Sequence, residues 1–181
     1  VGTITILQSI MQMLVLPLQG VTQGTQPIIS YNYGAKNYHR VRQTFKRVLA
    51  ISLGYTIAAF LLVSVFARPL ARMFTPDQAL IALTAKAAAV FFGGVWAFGA
   101  QMACQAAFMG LGQARVSLFL ALLRKVILLV PLALIFPNFF GVMGVYYAEP
   151  VADITSAVIA SILFLCNIKK ILTMENLKKI K

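Results

Sequence analysis

The sequence predicts an all-helical membrane protein with five transmembrane helices. Of its 181 residues, 60% are hydrophobic and only 11% are charged, and the mean hydropathy is +0.85. A soluble domain of this length would need roughly a quarter of charged residues to cover its surface. The chain also contains charge-free runs as long as the ~20 residues that a helix needs to cross a bilayer.

Five apolar runs qualify as membrane spans, and they cover residues 1–33, 48–67, 87–111, 116–136 and 141–168. The first run is uncharged as far as Ala35 and is longer than the bilayer is thick. This length predicts a tilt, a bend at Pro17 or Pro27, or an end that extends into water. The second and third runs carry no charged residue and are predicted to be simple spans. The fourth and fifth runs carry charges in their interiors.

These interior charges are Arg124 and Lys125 in the fourth span and Glu149 and Asp153 in the fifth. Ionisable groups at membrane depth are rare and usually face the bundle interior or a water path. The i, i+4 spacing places both carboxylates on one helix face, where they repel unless one holds a proton or finds a basic partner. Arg124 and Lys125 are the predicted partners. Two interpretations stay open: the acids bind a coupling proton or cation, or they form a buried ion pair that locks the two helices together.

Basic residues cluster on one side of the predicted topology, which the positive-inside rule assigns to the cytoplasm. Thirteen of the sixteen lie there, namely Lys36, Arg40, Arg42, Lys46, Arg47, Arg115, Arg124, Lys125, Lys169, Lys170, Lys178, Lys179 and Lys181. We therefore expect the odd-numbered spans and a basic tail at 169–181 to end in the cytoplasm. Residue 1 is then outside, which predicts at least one span upstream. Because the basic residues separate uncharged runs, nucleic-acid binding is not predicted.

A line of glutamines runs along the first predicted helix. At 100° per residue their positions fall within about one sixth of the circumference. They are Gln8, Gln12, Gln19, Gln23 and Gln26. Lipid cannot satisfy an amide, so this line must face protein or water. Five amides in register exceed what hydrogen bonding between two helices requires, which favours the wall of a wet cavity over helix packing.

The third predicted span offers a second polar face, because Gln101 and Gln105 are about one helical turn apart. Trp96 in the same span is either a ring on which a substrate stacks or a bulky side chain that only packs within the protein. The sequence holds no nucleophile with a matching base, no metal-ligand cluster and no phosphate-binding loop. We therefore expect no enzymatic activity, no catalytic residue, no bound metal and no cofactor.

Four stretches carry a resemblance to a known family: PLQGVTQGTQPIISYNYGAKNYHRVRQTFKRVL, ARMFTPDQAL, FMGLGQARVSLFLALLRKVILLVPLALI and FGVMGVYYAEPVADI. Over nearly its whole length, the chain is similar to the C-terminal half of a multidrug and toxic compound extrusion (MATE) transporter. The resemblance implies a twelve-helix antiporter with two six-helix lobes around a central cavity. The five spans would be helices eight to twelve, and the N-terminal lobe and helix seven would lie outside this sequence.

The resemblance leaves the position of the coupling acid open. Some family members carry it on the tenth helix, but the matching run 87–111 contains no acid. Others carry it on the first helix. Glu149 and Asp153 match a motif in the twelfth helix of similar transporters, and this match does not identify the group that carries the coupling ion.

The predicted function is multidrug efflux by proton- or sodium-coupled antiport across the bacterial cytoplasmic (inner) membrane. The expected partners are small cationic or amphipathic drugs, the lipid bilayer and an N-terminal lobe of the same chain. Glu149 and Asp153 are the candidates for cation coupling. The candidates for the substrate cavity are Gln19, Gln23, Gln26, Trp96, Gln101 and Gln105. Two alternatives remain: an exporter or flippase of lipid-linked sugars, whose cavity should be strongly cationic, and a non-transporting membrane protein that uses its glutamines for assembly.

Overall fold

The computed structural model describes residues 2–179, except for the side chains of 142 and 169–179. Within these residues the chain forms helices and turns and contains no strand. Five long helices follow one another: α1 (Gly2–Gly34), α2 (Tyr38–Arg72), α3 (Gln78–Gly110), α4 (Ala114–Phe140) and α5 (Val142–Lys179). Each contains a segment long and apolar enough to cross a membrane, which confirms the predicted fold class. The backbone of the predicted basic tail continues α5 to Lys179, and residues 180–181 lie outside the described part.

The first two helices continue through their prolines. Helix α1 runs unbroken past Pro17 and Pro27, and the Tyr55 hydroxyl of α2 donates a 2.9 Å hydrogen bond to the carbonyl oxygen of Leu14. Helix α2 departs from helical dihedrals at Phe66 (φ −104°, ψ 23°), three residues before Pro69. A proline inside a helix removes one hydrogen bond and crowds the preceding turn, which accounts for a bend at this position.

Helices α3 and α4 each contain a non-α turn near the middle of the helix. In α3, the 3₁₀ turn Phe92–Gly94 separates Gln78–Phe91 from Val95–Gly110. In α4, the π-helical run Leu123–Leu129 separates Ala114–Leu122 from Val130–Phe140. Pro131 has no N–H to donate to the carbonyl oxygen of Ile127. One α-helical hydrogen bond is therefore missing at the end of the π-helical run.

Helix α3 is the central helix, with α1, α2 and α5 packed around it. Its glycines allow two of these close contacts. A Cβ atom at Gly99 would lie 2.5 Å from Oγ1 of Thr56 on α2, and one at Gly94 would lie 2.6 Å from Cα of Pro150 on α5. Helix α3 therefore sets how closely α2 and α5 approach the centre of the bundle.

Two hydrophobic cores fill the two ends of the bundle. One contains Phe45 and Phe164, whose rings stack with centroids 3.9 Å apart, and the other contains Phe91, Phe92 and Tyr146. Along α3, α4 and α5, buried polar side chains occupy the positions between these cores. They are Gln101, Arg124, Asp153 and Ser156. Burial in the membrane interior makes hydrogen bonding and charge pairing within this layer essential for stability.

We expect Gly94→Ala to destabilise the bundle, because the added methyl group would overlap the backbone of Pro150 and lie 3.0 Å from Cβ of Asp153. Overpacking of this kind costs about 1–3 kcal/mol. The measurement is SDS-induced unfolding of the purified protein in mixed micelles. Gly93→Ala is the matched control, since a Cβ atom there meets nothing within 4 Å. Equal losses in the two variants would contradict the close packing of α3 against α5.

Candidate functional site

A cavity of about 640 Å³ opens among helices α1, α3, α4 and α5. Its wall contains amide, aromatic, thioether and charged side chains. The lining residues are Gln8, Met11, Gln12, Val15, Gln19, Phe91, Phe98, Gln101, Met102, Gln105, Ala121, Leu122, Arg124, Lys125, Val126, Leu129 and Glu149. A concave site with an apolar lining and a few polar groups is the usual form of a small-molecule binding site.

The α1 wall of the cavity is one face of that helix. Gln8, Gln12 and Gln19 line it together with methionine and valine side chains at helical spacing. Gln23 and Gln26 lie beyond the lining, where Gln23 is exposed and Gln26 is half-buried. The structure therefore divides the predicted glutamine line into a part at the cavity and a part outside it.

The α3 wall carries Phe91, Phe98, Gln101, Met102 and Gln105. These positions follow a heptad spacing, so they share one helix face. Trp96 does not belong to this lining, and its side chain is 46% exposed on another face of α3. Trp96 therefore does not share a helix face with Gln101 and Gln105, the two residues of α3 with which it was proposed to line the cavity.

Arg124 joins the two acids of α5. Its Nε donates to Oδ1 of Asp153 at 2.5 Å, and its terminal Nη2 donates to Oε1 of Glu149 at 3.1 Å. The guanidinium carbon also lies 4.4 Å from the centroid of the Phe98 ring, a cation–π contact. Arg124 is ten residues from the start of α4, which places it about 15 Å along this helix of 27 residues.

A second hydrogen-bonded pair lies next to Asp153. The Ser156 hydroxyl donates to Oε1 of Gln101 at 2.8 Å and lies 3.0 Å from the carbonyl oxygen of Asp153. Asp153 is fully buried, and its Oδ2 has no hydrogen-bond partner among the described residues. Gln101 is only 2% exposed, so its amide belongs to this buried network as well as to the cavity wall.

The charges in this cluster do not balance. One guanidinium faces two carboxylates, which leaves a formal charge of minus one when both acids are ionised. In a medium of low dielectric constant such an excess charge is costly. A proton or a monovalent cation would neutralise it, and the unpartnered Oδ2 of Asp153 is an available acceptor. This arrangement has the chemistry required for binding one cation.

Lys125 lies on the same wall but outside the cluster. It is exposed to the cavity, and no ion pair involving it is found in the described part of the chain. Of the two basic partners that the sequence offers to the acids, the structure places Arg124 against both carboxylates.

Phe98 is a site residue that sequence reasoning did not single out. It contacts Arg124 and lines the cavity. Its position three residues before Gln101 and seven before Gln105 places it on their helix face, and this spacing could have identified it. Met11, Met102 and Phe91 could have been found from the same spacing.

Solved transporter structures share the fold of this chain. An inward-facing multidrug resistance MATE family transporter of the MOP superfamily superimposes with a TM-score of 0.89 at 20% identity, covering 94% of this chain and 40% of that chain. A MATE multidrug transporter, DinF-BH, in complex with rhodamine 6G is 35% identical, with a TM-score of 0.82 over 91% of this chain and 37% of its own. A MOP superfamily transporter from Pyrococcus furiosus, described as having a binding pocket of reversed polarity, gives a TM-score of 0.88 at 20% identity, covering 94% and 39%.

The chain spans about 40% of the length of these transporters. No curated protein sequence matches it significantly. The matched structures are transporters, not enzymes, and they do not favour the flippase or assembly alternatives. A family model described as MatE matches residues 1–135 of the 181. Together with the five apolar helices, this match shows that the chain belongs to the MatE family of multidrug and toxic compound extrusion transporters, which are multi-pass membrane proteins.

Proposed function

We propose that this chain supplies the C-terminal lobe of a transporter that expels drugs in exchange for protons or sodium across a bacterial cytoplasmic membrane. The length that the chain shares with solved transporters supports its assignment to one lobe. The excess of basic residues after helices α1, α3 and α5 supports a cytoplasmic C-terminus. The remainder of the transporter would provide the opposite wall of the cavity.

The observation that carries this proposal is the cluster of Arg124, Glu149 and Asp153 at the wall of the cavity. Glu149 and Arg124 line the cavity directly, whereas Asp153 is buried behind them. A cation would reach the acids by passing through the space that a bound drug occupies. The proximity of the two sites therefore provides a physical basis for competition between cation and drug.

The coupling would operate by alternating access. When Asp153 and Glu149 are both ionised, Arg124 holds α4 against α5. Addition of a proton or sodium ion weakens the attraction of Arg124 to one carboxylate and frees its guanidinium to shift. The cation would thus favour one orientation of the lobe, and drug binding would favour the other. Gln12, Gln19 and Gln105 are the proposed hydrogen-bonding groups for the drug.

A reconstituted transport assay tests this function. The complete transporter is placed in vesicles loaded with rhodamine 6G, the dye bound in the structure of the DinF-BH relative. We expect an inward proton or sodium gradient to drive dye out, because the cluster exchanges one cation for the drug. Applying each gradient separately identifies the coupling ion. Efflux that proceeds equally without either gradient would contradict antiport, and the absence of efflux under both would contradict drug transport.

A further inference from the structure

Ser156 of α5 contacts both the cavity wall and the cation cluster. Its Oγ lies 2.8 Å from Oε1 of Gln101 on α3 and 3.0 Å from the carbonyl oxygen of Asp153 in its own helix. A hydroxyl group carries one proton, so the hydrogen bonds to these two acceptors compete. The side chain of Ser156 therefore has two alternative partners, one on the neighbouring helix and one in the backbone of α5.

Gln101 is the end of this contact that a drug can reach. It lines the cavity, although only 2% of its surface is exposed. Its Oε1 accepts the hydrogen bond from Ser156, and its amide nitrogen has no hydrogen-bond partner among the described residues. This nitrogen carries two N–H donors. A drug that accepts a hydrogen bond from one of them would draw the amide towards the cavity and lengthen the bond between Gln101 and Ser156.

Asp153 is the end of the contact at the cation cluster. The charged side chains that face its carboxylate are Arg124 of α4 and Glu149, one turn earlier in α5. Helix α3 faces Asp153 with Gly94, where an added Cβ atom would lie 3.0 Å from Cβ of Asp153. Lys125 lines the cavity outside this cluster. A movement of Asp153 relative to Arg124 would therefore change the electrostatic attraction that a cation meets.

The backbone of α5 is suited to such a movement. Pro150 has no N–H to donate, so one hydrogen bond of α5 is missing shortly before Asp153. A serine hydroxyl that bonds to a carbonyl oxygen of its own helix favours a bend in that helix. The strength of the bond from Ser156 to the Asp153 carbonyl is thus linked to the bend of α5 next to the carboxylate.

We propose that Ser156 is a positioning residue that couples drug binding at Gln101 to cation binding at Asp153. Without a drug, its hydroxyl bonds to Gln101 and holds α5 against α3. A drug that binds the Gln101 amide releases the hydroxyl to the Asp153 carbonyl, and the resulting bend moves the carboxylate relative to Arg124. This inference rests on the proposed antiport and adds to it a route by which drug and cation influence each other without occupying the same space.

The test measures how strongly the cation alters drug binding. Binding of rhodamine 6G to the purified complete transporter is measured by fluorescence polarisation at low and high pH without sodium, and at one pH with and without sodium. For each ion, the ratio of the two Kd values is the coupling factor, which in allosteric proteins is about 5–150. We expect Ser156→Ala to reduce the larger ratio about fivefold, the factor that corresponds to one net hydrogen bond.

Two further variants complete the test. Ser161→Ala is the matched control, because it removes another α5 hydroxyl that contacts α3, at Cys104, and should leave the ratio unchanged. Gln101→Met removes the other half of the proposed link and should reduce the ratio as Ser156→Ala does. Combining Gln101→Met with Ser156→Ala should reduce it no further, since both remove the same interaction. Gln101→Met also provides the measurement if loss of the hydroxyl alone impairs folding.

The outcomes separate this inference from the proposed function. An unchanged ratio in Ser156→Ala, an equal reduction in Ser161→Ala, or additive reductions in the double variant would overturn the role of Ser156 and leave antiport intact. Equal Kd values under all conditions in the unmodified protein would instead contradict the coupling of drug to cation, and with it both proposals.

Discussion

Asp153→Asn is expected to abolish cation-coupled efflux while the helices remain assembled. The substitution removes one of the two negative charges that face Arg124, so the cluster becomes formally neutral and no longer attracts a cation. A unit charge about 4 Å away contributes about 4 kcal/mol at an intermediate dielectric constant, so cation affinity should fall by more than about a hundredfold. The assay is dye efflux from vesicles under an imposed proton or sodium gradient.

The control for this variant is Asp77→Asn, which makes the same chemical change at the start of α3 and retains a residue suited to capping. It should leave efflux unchanged. Retention of the helical bundle in Asp153→Asn is expected because Arg124 keeps its contact with Glu149 and the asparagine oxygen can still accept a hydrogen bond. If Asp153→Asn responds to the gradient as the unmodified protein does, the acids have a structural role and the proposed coupling is wrong.

Arg124→Met is expected to cause the largest loss of stability of any single substitution in the buried polar layer. It leaves both carboxylates in the membrane interior without a counter-charge, and removing one member of a buried ion pair costs about 3–5 kcal/mol. The free energy of unfolding in SDS mixed micelles measures this loss. Lys125→Met is the control, because Lys125 is exposed to the cavity and its removal leaves no described carboxylate unpaired.

A charge-neutral variant separates electrostatics from packing. If the loss in Arg124→Met comes from the unpaired acids, adding Glu149→Gln and Asp153→Asn should restore most of the stability, since neutral amides are cheaper to bury than carboxylates. Failure of these substitutions to restore stability would instead assign the loss to the contact between Arg124 and the Phe98 ring.

The five helices could be predicted because a membrane imposes a minimum length on each apolar run. The length of an apolar run, however, measures only the part of a helix that faces lipid. It does not measure the length of the whole helix. Helix α2 begins at Tyr38, and its first turns carry Arg40, Arg42 and Lys46, charges that end an apolar run but do not end a helix. The ends of the helices therefore could not be read from hydropathy alone.

The site was predictable where it depends on spacing within one helix. The i, i+4 relation brings Glu149 and Asp153 to one face, and the glutamines of α1 share a face for the same reason. Spacing does not determine how far the cavity extends along α1, so it could not separate Gln19 from Gln23. It also could not assign Trp96 to an outer face, because that depends on how α3 packs against its neighbours.

The choice between Arg124 and Lys125 could not be made from α-helical spacing, and both residues lie where the helix departs from α geometry. Adjacent residues on a regular helix point in directions 100° apart, so either could have faced the acids. In the structure both residues lie in the π-helical run Leu123–Leu129, with Arg124 buried against α5 and Lys125 exposed to the cavity. Sequence patterns that assume an α-helical period cannot predict this orientation.

The π-helical run also makes the site sensitive to chain length. Because its hydrogen bonds join residues five apart in place of four, the run accommodates an additional residue within α4. Deleting one residue between 123 and 129 would allow a continuous α-helix to form and would rotate one half of α4 against the other. Arg124 could then keep its contact with Asp153 only if Leu122 and the residues before it changed their packing. The orientation of Arg124 towards Asp153 is therefore tied to the number of residues in this segment as well as to their identity.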